Sequence, residues 1–76
     1  MKRMSTETFY ITSKSAGTRN NRYFDVFEAV NYLRSMPKEK QDKFGVTCVE
    51  TDTYFDDDGN FNRRETYECF VDLAEY

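Results

Sequence analysis

The 76 residues include no histidine and no tryptophan, one proline, three glycines and two cysteines. Each shortage narrows what the chain can do. Without histidine there is no Cys-His or Ser-His nucleophile pair, and two cysteines do not fill a structural zinc site. There is no G-x-S-x-G turn, no phosphate-cradling glycine loop and no H-E-x-x-H helix. Carboxylate pairs are present, but so short a chain offers no cleft deep enough to raise the pKa of one of them. The sequence therefore reads as non-enzymatic and free of cofactors. No apolar run reaches the roughly 18 residues a membrane span needs. Ser5-Thr6-Glu7-Thr8 follows Met1-Lys2-Arg3-Met4 where a signal peptide needs an apolar segment, so the expected location is the cytoplasm, with no membrane partner.

Aliphatic side chains are also scarce: two Leu and one Ile stand against six Tyr and seven Phe. A few large rings must then supply most of the buried area. A chain of this size forms one domain, residues 1–76, and buries only about 60% of its unfolded surface. The net charge of −3 is unevenly spread. Residues 1–43 hold nine basic and five acidic side chains, and residues 44–76 hold two basic and nine acidic. Charge of one sign on one segment bears on partner choice and on-rate.

The strongest local signal lies in Gly45 to Leu73. Polar and apolar residues alternate through Val46–Phe55 and again through Glu65–Leu73, with Asp56-Asp57-Asp58-Gly59-Asn60 between them. Asp58-Gly59 predicts a two-residue type I′ turn, which needs φ > 0 at both central positions. That turn sets Asp57 opposite Asn60, Thr51 opposite Thr66, Cys48 opposite Cys69 and Val46 opposite Val71. One face then carries Val46, Cys48, Tyr67, Cys69, Val71 and Leu73 toward a core, and the other carries Thr47, Val49, Thr51, Thr53, Phe55, Thr66, Glu68 and Phe70.

Upstream, residues 1–6 are expected to be a frayed terminus, Glu7–Ser13 a short strand, and Arg22-Tyr23-Phe24 a second strand after a polar loop. Asp25 caps a helix whose apolar stripe is Val26, Ala29, Val30 and Leu33, widened by Phe27, with Glu28 completing a capping box. Pro37 ends it, and Lys38–Lys43 forms a further helical turn closed by Gly45. The expected fold is α+β: a small antiparallel sheet in ββαββ order, one main helix packed on one face, and a long C-terminal hairpin. A helix from Val26 to Met36 is about 16 Å long at 1.5 Å per residue, and each hairpin arm is roughly 33–36 Å at about 3.3 Å per residue. The tip, Asp52 to Glu65, is thus expected to project as an acidic arm.

Four chemistries follow from these placements. Cys48 and Cys69 fall at a non-hydrogen-bonded cross-strand site, with Cα atoms about 4.5 Å apart, at the near edge of disulfide geometry: a cross-strand disulfide is one alternative, and a reduced pair packed as small apolar side chains is the one expected in a cytosolic setting. Tyr54–Glu65 overlaps a calcium loop at Asp56, Asp58, Gly59 and Glu65, but Tyr54 replaces the first ligand and strands replace both helices, so no metal is assigned. Basic residues with interspersed tyrosines suit nucleic acid, yet the candidate sheet is the acidic part and would repel phosphate, so direct nucleic-acid binding is disfavoured. Protein recognition remains: Asp52, Tyr54, Phe55, Asp56, Asp57, Asp58, Phe61 and Glu65 form an aromatic, acidic tip for a partner with a basic surface, one that normally holds nucleic acid included. An alternative is a homo-oligomer, a homodimer at its simplest, pairing open sheet faces through Thr47, Val49, Phe55 and Phe70. In size and charge alone the chain resembles small acidic α/β proteins of phages and mobile elements, anti-CRISPR inhibitors among them, which would make the module an inhibitor.

Overall fold

In the computed structural model, which describes residues 1–76, strands β1 (Lys2–Ser13) and β2 (Arg19–Tyr23) precede α1 (Val26–Ser35) and a single turn, α2 (Lys38–Gln41). Strands β3 (Phe44–Phe55) and β4 (Phe61–Phe70) and a 3₁₀ turn at Leu73–Glu75 complete the chain. The four strands form one antiparallel sheet in the order β2-β1-β3-β4, so the fold is α+β. Asp25 accepts a hydrogen bond from the Phe27 N–H at 2.8 Å, and its extended φ of −128° marks it as the cap that starts α1. Ala29, Val30 and Leu33, one helical face, are almost fully buried against Phe9, Ile11 and Val46 of the sheet. Phe27 does not widen that stripe: it is 60% exposed and packs edge-on against the Tyr76 ring at 5.5 Å. On the outer side of α1, Arg34 donates to the main-chain oxygens of Leu73 and Tyr76, which ties the C-terminal turn to the helix.

The expected frayed terminus is a strand. Residues 2–6 belong to β1 and pair with Thr51–Phe55, continuing a ladder that runs unbroken from Lys2 opposite Phe55 to Ser13 opposite Phe44. Strand β1 is thus an inner strand beside β3, and it turns the expected two-stranded arm into a three-stranded plate. Because β2 meets β1 only from Phe9 to Thr12, the outer edge of β1 is open before that point. Asn21, at φ +50°, is the extra residue that shifts the β1–β2 register between Tyr10 and Ile11.

The hairpin tip differs in detail from a type I′ turn. The Asp56 N–H donates to Asn60 O at 2.8 Å and the Gly59 N–H to Asp56 O at 3.0 Å, closing a three-residue loop, Asp57-Asp58-Gly59. Only Gly59, at φ +84°, takes the left-handed conformation, where a side chain would be strained. Asp56 Oδ1 accepts from the N–H groups of Asp58 and Asn60, so this carboxylate holds the loop together. Phe55 then faces Phe61, one residue out of the expected register, until a bulge at Asn62 restores it. From Tyr54–Arg63 to Thr47–Phe70 the pairs are those of a two-residue turn, Thr51–Thr66 and Cys48–Cys69 among them. A longer loop and a bulge offset each other.

Two main-chain bonds fix which groups face which way. The Val71 N–H donates to Val46 O at 2.8 Å, and the Lys14 N–H to Lys43 O at 3.0 Å. Hydrogen-bonded and non-hydrogen-bonded pairs alternate along an antiparallel ladder. The even residues of β1 therefore bond β3, and its odd residues point their N–H and C=O outward. In β4, Arg64, Thr66 and Glu68 point theirs outward. Cys48–Cys69 falls at a hydrogen-bonded site, not the non-hydrogen-bonded one expected, and both cysteines are free thiols. This alternation gives a paired test in urea titrations. Thr6→Pro removes an N–H aimed at β3 and is expected to cost about 1–3 kcal/mol, whereas Arg3→Pro removes an outward one and costs far less. Equal, negligible effects would mean that residues 2–6 are frayed after all.

Candidate binding surface

Helix α1 covers only the Phe9–Ile11 and Val46 end of the sheet, within a molecule 52 Å long and 23 Å wide. From the helix margin outward, the same face carries a series of cross-strand rows. Phe9, Cys48 and Cys69 lie at the margin itself, followed by Glu7, Glu50 and Tyr67, then Ser5, Asp52 and Glu65, and finally Arg3, Tyr54 and Arg63. Carboxylates fill the middle and guanidiniums the far end.

The expected tip site is only partly assembled. Asp52 is 5% exposed and accepts from Ser5 Oγ at 2.6 Å, so it is a structural carboxylate enclosed by β1. Tyr54 and Phe55 are half-buried, the Arg63 guanidinium lies 4.5 Å from the Tyr54 ring centre, and Asp56 is spent on the loop. Asp57, Asp58 and Phe61 remain exposed, with Asp57 3.1 Å from the Met1 ammonium. Nor is the tip an acidic arm. Pairing brings Lys2 and Arg3 beside Phe55 and Tyr54, and Arg63 and Arg64 beside Tyr54 and Thr53. The five carboxylates from Asp52 to Glu65 therefore meet four basic side chains and the Met1 ammonium.

The proposed oligomer face is likewise altered. Thr47 and Val49 are buried, at 7% and 9% exposure, although no layer covers them. Arg19 of β2 and Glu68 of β4 form an ion pair across β1 and β3. Strands about 4.8 Å apart would hold β2 and β4 roughly 14 Å from each other in a flat sheet, so the sheet curls toward its open side. Curling folds Tyr10, Thr12, Thr47 and Val49 into a concavity, with Arg19 5.3 Å from the Tyr10 ring centre and Thr47 Oγ1 bonded to Thr12 Oγ1 at 2.8 Å. Thr47 and Val49 therefore cannot pair two sheets. Phe55 is half-buried, and Phe70, 61% exposed, is the one fully exposed member of that set.

What the structure adds is the pair Glu7 and Glu50. They stand directly opposite each other at a non-hydrogen-bonded site of β1–β3, where Cα atoms are about 4.5 Å apart, and neither has a salt-bridge partner. Like charges so placed are destabilising. Glu65, next on this face, accepts from the hydroxyls of Tyr67 at 2.9 Å and Tyr54 at 3.4 Å, with Arg63 3.6 Å away. The bond to Glu65, then the charge of Glu65, hold the Tyr67 phenol above its ordinary pKa. Burial, followed by the charge of Glu7, pushes the Cys48 thiol up, with Cys69 and Glu50 adding to it. Glu7 escaped the sequence reading because its neighbour is 43 residues away in the chain, across a strand pairing that no local pattern encodes. Compared with family models, with curated proteins and with solved structures, the chain finds no match in any of the three.

Two measurements check this geometry. Glu50→Gln should raise stability by about 0.2–1 kcal/mol, because it relieves the opposed charges. In iodoacetamide labelling of the folded protein, exposed Cys69 reacts before Cys48, and Glu7→Gln moves the rate profile of Cys48 to lower pH. The sign follows from the raised thiol: its stabilising contribution is full below the ordinary thiol pKa and lost as pH rises through the folded value.

Proposed function

We propose that this chain is a non-enzymatic protein-binding module that meets a basic partner with the uncovered part of its helix-side sheet face. The observation that carries the reading is the Glu7–Glu50 pair, two opposed carboxylates with no salt-bridge partner on a three-stranded plate. Sheets ordinarily avoid such a pair, and sites where a chain violates local preference tend to be functional. A Lys or Arg delivered by a partner would relieve the repulsion on binding, and the exposed ring of Tyr67, 54% accessible, supplies apolar area next to it. Asp57, Asp58 and Phe61 are too far along the plate to share that contact and would at most form its rim. A partner surface that ordinarily holds nucleic acid has the required charge, and occupying it would make the module a competitive inhibitor.

Affinity capture with wild type and with the Glu7→Gln/Glu50→Gln double variant tests this. The double variant should be more stable and should lose the captured partner, whereas Asp57→Asn/Asp58→Asn should retain it. Undiminished capture by the double variant would sink the reading. Capture by wild type should also weaken with added salt, since steering between exposed charges is screened.

A further inference from the structure

We propose that β4 pairs with β4 of a second copy, about a two-fold axis through Thr66, to make a continuous eight-stranded sheet. Strand β4 is the edge strand of the sheet over its ten residues, and no main-chain bond outside the β3 ladder involves Arg64, Thr66 or Glu68. Open edges are usually blunted by proline or covered; β4 has no proline, and its bulge lies at Asn62, next to the loop. Three of the large exposed apolar side chains, Phe61, Tyr67 and Phe70, are on this one strand.

Charge selects both the partner and the register. A two-fold axis perpendicular to the sheet keeps each side chain on its own face, so the axis must pass through a residue of β4. Centred on Arg64, Glu65 or Glu68, the pairing sets that charge against its own copy. Centred on Tyr67, it matches no charges. Centred on Thr66, it sets Arg64 against Glu68 of the second copy, twice, with no like charges opposed and Glu65 against Tyr67. Thr66 is also one of the residues whose N–H and C=O point outward, as are Arg64 and Glu68, so all three pairs fall at hydrogen-bonded sites and make about six main-chain bonds. Glu68 is also paired with Arg19 of its own copy, and a carboxylate has two oxygens with lone pairs enough to serve two guanidiniums. The edge is complementary to itself, and the occupant it fits is this chain.

Sedimentation of wild type, Arg64→Glu, Glu68→Arg and an equimolar mixture of the two variants tests the register. Wild type should be dimeric, and each variant alone should dissociate at least tenfold more readily, because the substitution opposes like charges. The mixture should regain the wild-type affinity. In the mixed dimer the Arg64→Glu copy presents carboxylates at both positions and the Glu68→Arg copy presents guanidiniums at both, so each pair again joins opposite charges. Thr66→Pro, which removes an outward N–H and leaves the β3 ladder intact, should be a folded monomer by circular dichroism. A wild type that remains monomeric to about 1 mM, at the weak end of the affinity scale, overturns the proposal. So does a dimer that persists in both single variants, which would place the contact elsewhere, such as the open stretch of β1.

Discussion

The rest of the structure depends on β1 lying along the whole of β3. That one ladder of twelve residue pairs places β3 in the centre, where both of its edges are satisfied. It closes over Asp52, brings Ser5 within reach of that carboxylate, and carries Lys2 and Arg3 to the acidic loop. It also forces Glu7 and Glu50 together. None of these consequences belongs to the hairpin alone. Strand pairing is worth little without apolar cover, so the ladder is anchored at its far end, where Phe9, Ile11 and Val46 meet Ala29, Val30 and Leu33 of the helix.

Charge distribution along the chain is therefore a poor guide to charge distribution on the surface. The acidic segment and the basic segment are antiparallel neighbours, so pairing mixes them at the tip and separates them into rows on the helix-side face. A segment count sees neither. The same holds for the opposite face, where alternation correctly sorted Thr47 and Val49 away from the helix but could not show that curvature would bury them. Alternation reports which side of a sheet a residue takes; the long-range ion pair between Arg19 and Glu68 reports whether that side is open.

What was legible in the sequence is what short-range physics controls. Asp25, the stripe of Ala29, Val30 and Leu33, and Pro37 define the helix because cap, periodicity and breaker agree within a dozen residues. The hairpin register was legible for a less secure reason, since the loop is one residue longer than expected and the bulge at Asn62 takes up the difference. Residues 2–6 were illegible because no helix covers the sheet there and all five of their side chains are exposed. With nothing to bury, Lys2-Arg3-Met4-Ser5-Thr6 carries no apolar alternation, and a strand without a core face looks like a tail. The Glu7–Glu50 pair was illegible for another reason: Glu7 lies in the strand that the alternation did mark, but its neighbour is set by a long-range pairing.

The partial cover given by α1 has a consequence for how this sequence can change over time. Where the helix sits, each side chain answers to a packed interior, and a substitution must keep volume and polarity. Past the helix margin, the exposed rows of the plate answer only to strand propensity and main-chain bonding. Glu7, Tyr67 and Arg63 can be exchanged for other strand-compatible residues with little penalty to folding, and in the case of the opposed carboxylates with a gain. Surface chemistry can thus drift on one half of the molecule while the other half preserves the architecture. A domain this small can in that way change the charge and shape of an exposed face without rebuilding its core.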